Sequence, residues 1–307
     1  MTNTVVAAEE HPRLTPPPDA PPPGADPFEP HPLGTALTRA ADVALEKAGA
    51  PLAHLLRSLV GGAMVAFGVL LALSVSTGIQ TPGLATVAMG LAFGFSFVLI
   101  LVSSMSLITA DMAAGLVAVL ARRMTLPRYL RFLCVGWVGN IAGAFVFVAV
   151  AAGAGGPYTS AAFVTHAATV ALSKSGTSDL STFLLAIICT WFLQTAMFMF
   201  FKARTDVARM SFAFYGPFAF VVGMTEHVIA NMGFVCFPLL LDLLHPVQSA
   251  SPGIAAGLSW GLGAHGLLRN LIWATLGNLV GGTVFVALPF WLIATLQDRA
   301  AARLRQP

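Results

Sequence analysis

Hydrophobic residues fall into six long runs separated by short polar connections. A membrane-crossing helix needs about 20 consecutive apolar residues. On that measure the pattern predicts crossings over 55–77, 132–152, 181–201 and 270–296, with two longer runs over 84–121 and 211–244. The longer runs exceed one straight crossing. Each holds a polar knot, SSMSLITAD over 103–111 and MTEHVIANM over 224–232, which predicts a helix broken inside the bilayer. Before the first run, residues 35–50 place Leu37, Ala41 and Leu45 on one helical face and Arg39, Asp42, Glu46 and Lys47 mostly on others. That amphipathic helix is expected at the cytoplasmic membrane surface.

Composition agrees with the pattern. The chain of 307 residues is 57% hydrophobic and 9% charged, whereas a soluble domain carries about 25% charged residues. So little charge cannot cover a water-facing surface. Net charge is +3, but the basic residues sit at the ends of apolar runs instead of on one face, which excludes a nucleic-acid site. Fourteen of the sixteen lie before or at the edge of the first run, between the second and third, between the fourth and fifth, or after the sixth; only Lys174 and Arg269 lie in the alternate connections. Positive residues stay cytoplasmic, so both termini are expected in the cytoplasm of a bacterial-type inner membrane. The expected organisation is a disordered proline-rich tail over 1–34, the helix over 35–50, a six-span transport domain over 51–298 and a basic tail over 299–307. Residues 1–34 contain no apolar core typical of a signal peptide. Cys134, Cys189 and Cys236 lie inside apolar runs with no metal or disulfide spacing, and no cofactor is implied.

An internal repeat is visible. Gly139-Asn140-Ile141-Ala142-Gly143 in the third run matches Gly277-Asn278-Leu279-Val280-Gly281 in the sixth. Three spans per half make the halves enter from opposite sides, the inverted-repeat plan of many transporters. The expected fold is therefore an all-α integral membrane protein of six helices, a 3+3 inverted repeat with its second and fifth helices broken. Small-xxx-small pairs also occur wherever membrane helices pack closely.

Unwound backbone is tolerated in a bilayer only where protein buries it or water reaches it. Two broken helices should then meet at a pore, and helix N-termini at the breaks favour anions. Glu226 and His227 form the one adjacent ionisable pair inside a span. Histidine exchanges a proton near neutrality, so His227 is expected to line the path and exchange a proton with substrate or polarise it. Glu226, about 100° away on a helix, is expected to anchor the break; a purely structural histidine is the alternative. Thr109 offers a hydroxyl in the first break, Lys174 a cation that could draw anions into an outer vestibule. Phe93, Phe97 and Phe220 precede the breaks and could exclude hydrated ions.

Gly223-Met224-Thr225-Glu226-His227-Val228-Ile229-Ala230-Asn231-Met232 resembles the G-F-E-H-x-x-A-N-M signature of formate/nitrite transporters. Leu107-Ile108-Thr109 is similar to that family's L-F-T loop, and Asn270-Leu271-Ile272 with Gly277-Asn278 to its sixth span. Asp26-Pro27-Phe28 and Gly139-Asn140 also resemble it, so the likeness covers about residues 26–298. It implies an aquaporin-like fold, a homopentamer with one pore per protomer, and transport of small monovalent weak-acid anions together with a proton. It places His227 on the central pore histidine, Thr109 on the loop threonine, Lys174 on the vestibule lysine, Glu226 and Asn231 on the substrate pathway, and Phe93, Phe97, Ile108 and Phe220 on the constriction. Departures surround the path: Ser106 stands where the family carries an acid, Ile108 and Thr225 where it carries phenylalanine, Thr190 where it carries asparagine, and Asp111 is an extra acid. A neutral-solute channel and a non-transporting scaffold or sensor are the competing readings. Paired N-P-A motifs, which the first would carry, are absent, as is any catalytic pattern of an intramembrane enzyme.

Overall fold

The computed structural model describes residues 29–246 and 257–304; most of the expected tail over 1–34 and the end of the 299–307 segment lie outside them. The described residues are helical, apart from loops and one isolated bridge between Ser259 and Gly266. In chain order the helices are α1 (Leu33–Gly49), α2 (Pro51–Ser76), α3 (Pro82–Val102), α4 (Ile108–Leu120), α5 (Leu126–Ala154), α6 (Ala161–Ser175), α7 (Asp179–Lys202), α8 (Asp206–Val222), α9 (Val228–Leu244), α10 (Leu267–Gly282) and α11 (Leu288–Leu304). A single π-turn over Thr283–Ala287 joins α10 to α11. Proline stands in the first turn of α2, α3 and α5, where its missing N–H costs nothing. The stretches over Pro51–Ser76, Pro82–Val102, Leu126–Ala154, Asp179–Lys202 and Leu267–Leu304 are long and apolar enough to cross a membrane. Their outer surfaces expose Leu84, Phe95, Val146, Leu180 and Phe192, as suits contact with lipid or a second subunit.

The 84–121 run is two helices, α3 and α4, and the 211–244 run is α8 and α9. The non-helical segments are shorter than the polar knots in the sequence: 103–107 and 223–227. Both α3 and α8 end in the same way. Met105 N–H bonds to the Ile100 carbonyl and Ser104 N–H to Leu101; Thr225 N–H bonds to Phe220 and Met224 N–H to Val221. This is the Schellman closure, with its left-handed residue supplied here by Ser104 (φ 59°) and Met224 (φ 50°). The chain turns sharply, and α4 and α9 then start deep in the protein.

The G-N-x-x-G repeats are the seams of the bundle. A Cβ at Gly143 would strike the carbonyl oxygen of Leu59, and one at Gly281 that of Ile187. Hence α5 lies backbone-close on α2, and α10 on α7, as small residues permit.

The helix expected over 35–50 is present, with one difference at Lys47. It starts at Leu33 and packs against α4 and α7. Lys47, expected on a polar face, is buried at 8% exposure, because Asp111 supplies its counter-charge from α4. The basic connections gather at one end: Arg123 pairs with Asp42 at 2.6 Å, and His31 N–H bonds to the Lys202 carbonyl at 2.9 Å. Lys174 and Arg269 lie on other elements, and Arg269 pairs with Asp179 at 2.7 Å.

Candidate functional site

The two loops are held by two asparagines. Asn140 Oδ1 accepts from Ile108 N–H at 2.7 Å, while its Nδ2 donates to the carbonyls of Ser58 (2.6 Å) and Ser106 (2.9 Å). Asn278 Oδ1 accepts from Val228 N–H at 2.9 Å, and its Nδ2 donates to Ala186 and Glu226, each at 2.9 Å. Each side chain satisfies one orphan helix N–H and two loop or helix carbonyls. Without it, one helix N–H and one loop carbonyl would stand unpaired, each at about 1–3 kcal/mol, and a helix carbonyl would lose its second bond. Both asparagines are fully buried.

At the meeting of the loops, Thr109 Oγ1 lies 2.9 Å from His227 Nε2. His227 is the N-cap of α9, and its Nδ1 accepts the Ala230 N–H at 3.2 Å. An acceptor Nδ1 leaves the proton on Nε2 in a neutral ring, so Nε2–H donates to the Thr109 hydroxyl. Thr109 is fixed from behind, since the Gln194 amide donates to its carbonyl. The backbone N–H groups of Thr109 and Ile229, second in α4 and α9, have no acceptor among the described residues.

Aromatic rings close the space around His227. Phe220 stacks on it at 5.1 Å and 8°, and Phe97 meets it edge-on at 5.9 Å. Phe93, Phe97 and Phe220 contact one another at 5.5–5.8 Å. All three are 2% exposed or less. Ile108 is equally buried but lines neither chamber described below; its Cδ1 lies toward Gly136 of α5.

A chamber of about 500 Å³ opens on one side of the rings, lined by Lys174, Thr225, Glu226, His227, Asn231 and His166 among others. Lys174 Nζ donates to the Thr225 carbonyl (3.1 Å) and to Glu226 Oε1 (3.3 Å), with the Phe234 ring 5.5 Å beneath. Asn231 Nδ2 donates to Glu226 Oε2 and to Asn270 Oδ1. Its own Oδ1 has no partner among the described residues. Thr225 Oγ1 donates to the Phe220 carbonyl at 2.9 Å, so the residue standing where the family has phenylalanine ties the loop to α8. Thr190 bonds only within its own helix, to Ala186.

A second chamber, about 570 Å³, lies on the other side, lined by Lys47, Arg57, Leu107, Asp111 and Arg209 among others. The sequence reading missed its chemistry. Lys47 Nζ pairs with Asp111 Oδ1 at 2.7 Å. Ser106 Oγ donates to Asp111 Oδ2 at 2.6 Å and lies 3.3 Å from His54 Nδ1. Ser106 and Asp111, separate departures in sequence, are one unit in space. A lysine at the end of an amphipathic helix carried no signal of burial, because its partner lies sixty-four residues away. Gln194, a lone amide within an apolar run, was a legible signal.

An all-helical chain with an apolar exterior, two loops meeting at a polar pair, and a chamber on each side of a ring of phenylalanines is a membrane transport protein. The formate/nitrite transporter family model matches residues 35–292, and the chain belongs to that family, whose members are transporters and channels and not enzymes. It is 27% identical over 277 residues to the nitrite transporter NirC of Salmonella typhimurium, covering 90% of this chain and 96% of that one. It is 28% identical over 252 residues to a probable formate transporter of Methanothermobacter thermautotrophicus, covering 76% and 86%. Among solved structures it resembles an FNT family ion channel, with TM-score 0.71 and 23% identity over 85% of this chain and 98% of that chain. It also resembles a pentameric formate channel with formate bound, with TM-score 0.66 and 22% identity over 80% and 98%.

Proposed function

We propose that this chain carries small monovalent weak-acid anions of the formate or nitrite kind, with a proton, across a bacterial inner membrane. One pathway runs through each protomer of a homopentamer embedded in lipid. Relatives named for nitrite and formate, and a structural neighbour described as a pentameric formate channel, support the substrate class and the assembly. In this reading the chain crosses six times as two inverted halves, α3/α4 and α8/α9 each forming one broken crossing, with both termini and the Lys47 chamber cytoplasmic. The clustering of the basic connections at one end supports that orientation.

The observation that carries the proposal is the Thr109–His227 hydrogen bond at the junction of the two loops, enclosed by Phe97 and Phe220. The phenylalanines make passage of a bare anion expensive, because the charge loses its water and finds no polar partner in its place. Lys174 and the N-terminal ends of α4 and α9 draw the anion toward that barrier. The free amides of Thr109 and Ile229 can hold it there. The acid crosses as its neutral form, and the proton is delivered along hydrogen bonds. In the ring's resting state Nδ1 is tied to Ala230 and Nε2–H to Thr109. His227 therefore acts first as a hydrogen-bond donor through the threonine hydroxyl. Taking up a proton at Nδ1 requires giving up the Ala230 bond.

Uptake of labelled formate and of nitrite into proteoliposomes, driven by an imposed pH step, tests this. His227→Ala should abolish proton-coupled uptake while the oligomer persists, and Thr109→Val should lower it by roughly tenfold, one lost hydrogen bond to the transition state. Unchanged uptake in His227→Ala removes the histidine from the mechanism. Water and glycerol swelling assays separate an anion path from a neutral-solute channel.

A further inference from the structure

Beside the Lys47 chamber lies a smaller cavity of about 130 Å³. Lys47, Ala48, Pro51 and His54 form one wall; Arg128, Arg131, Phe132 and Val135 form the other. The second set is spaced i, i+3, i+4, i+7, one face of α5. Three of the eight residues are cations and none is acidic. The floor is rigid: His54 stacks on Phe132 at 4.6 Å and 26°, and its Nε2 lies 3.1 Å from the Phe132 carbonyl.

The arginines differ from their neighbours at the same end. Arg57 is paired with Glu46 at 2.9 Å and Arg123 with Asp42 at 2.6 Å. Arg128 and Arg131 are exposed, and neither makes an ion pair or hydrogen bond among the described residues. The Arg128 guanidinium arches over the α1–α2 junction, 3.7 Å from where a Cβ on Gly49 would sit. The first turns of α2 and α5, neither with a side-chain cap, add their positive ends. Lys47 lines this cavity as well as the chamber, and its bond to Asp111 leaves two of its three donors unspent.

We propose that this cavity binds a phosphoryl group. Two guanidinium forks on one helical face match phosphate oxygens in pairs. With Lys47 already paired to Asp111, a small monoanion would balance one arginine and leave the other uncompensated, while a phosphate offers charge and acceptors for both. The volume is that of about four waters, enough for one tetrahedral anion and no more. The same chemistry is available from an anionic phospholipid headgroup at the membrane face and from free phosphate. The site adjoins the Lys47 chamber through Lys47 alone; its two arginines line this cavity and not the chamber, and the proposal does not depend on the transport reading.

The test compares the intact protein with R128Q/R131Q by unfolding midpoint. In neutral detergent, inorganic phosphate is added against chloride at matched ionic strength. In nanodiscs, phosphatidylcholine alone is compared with phosphatidylcholine plus phosphatidylglycerol. The native protein should gain about 2–4 °C in at least one arm, and the variant should gain none. A response to inorganic phosphate assigns a free anion; a response to phosphatidylglycerol alone assigns a headgroup. No gain in either arm, or an equal gain in the variant, overturns the proposal. If the double variant does not assemble, R131Q alone should show about half the native gain, and a full gain there overturns it equally.

Discussion

The loop over 103–107 and the loop over 223–227 are built alike and equipped differently. Both follow a Schellman closure with a left-handed residue, Ser104 and Met224. Both are clamped by an asparagine making three matched bonds, Asn140 and Asn278. Both meet a lysine from a short helix, Lys47 from α1 and Lys174 from α6, paired to a buried carboxylate. The chemistry then diverges. In the first loop the carboxylate is Asp111 and its hydrogen-bonding companion Ser106; in the second it is Glu226, and the companion Asn231 occupies the position matching Asp111. Where the first loop has Leu107 and Thr109, the second has His227 and Ile229. Each loop thus contributes one polar residue to the central pair and keeps the other position apolar. A matched backbone frame leaves the side chains at corresponding positions free to differ.

That comparison can be broken. The largest effect is expected from N140L or N278L, since each strands two buried backbone groups, a helix N–H and a loop carbonyl, at about 1–3 kcal/mol apiece. Both variants should fail to yield a monodisperse oligomer on size exclusion. If only one fails, the clamps are not equivalent. Next, S106D places two acids around Lys47, and D111N leaves the lysine buried without a counter-charge, a loss of about 3–5 kcal/mol. The double variant S106D/D111N restores one acid in the order seen around Lys174. Its unfolding midpoint and formate uptake should recover most of the single-variant losses. No recovery would mean that the carboxylate's position, and not its charge, matters.

G143A and G281A sharpen the comparison at the seams. A Cβ at either meets a carbonyl oxygen of the neighbouring helix, so each should cost about 1–3 kcal/mol, read as matched drops in midpoint. The smallest effect belongs to His166, on α6 and therefore on one half only. Burial holds its imidazole below the ordinary histidine value of 6.5, and Ser76 Oγ lies 2.6 Å from its Nε2. The unfolded chain binds the proton more readily, so stability from this group is complete above pH 6.5 and falls as pH drops below it. H166Q should show a slightly smaller midpoint difference between neutral and mildly acid pH than the native protein.

Much of this was legible in the residues. Apolar run length placed most long-helix ends to within about five residues, though α11 continues to Leu304 past the expected end at 296, and polar knots inside two runs placed the interruptions. The start of α5 was set too late, because Arg128 and Arg131 read as connection; long basic side chains tolerate a helix end at the interface by reaching outward. The E-H-x-x-A-N-M stretch singled out His227, Glu226 and Asn231 because such groups are costly in lipid without a purpose. The cluster of Lys47, His54, Ser106 and Asp111 was not legible as a unit, since its members are scattered over four elements; Ser106 and Asp111 stood out singly, but nothing in the residues joined them to Lys47 or His54.

Run length and charge distribution determined, from the residues alone, that this is a helical protein with several long apolar helices, and the repeated G-N-x-x-G and polar knots predicted two related parts with two interrupted segments. Those properties are local, each set by how a stretch of about twenty residues partitions between water and lipid. Which residues became partners was decided only in three dimensions. Thr109 meets His227 across more than a hundred residues, Ser106 shares its proton with Asp111, and Lys47 turns inward to reach the same carboxylate. A buried polar group is stable only with a geometrically suited partner, and that partner is chosen by how the helices pack.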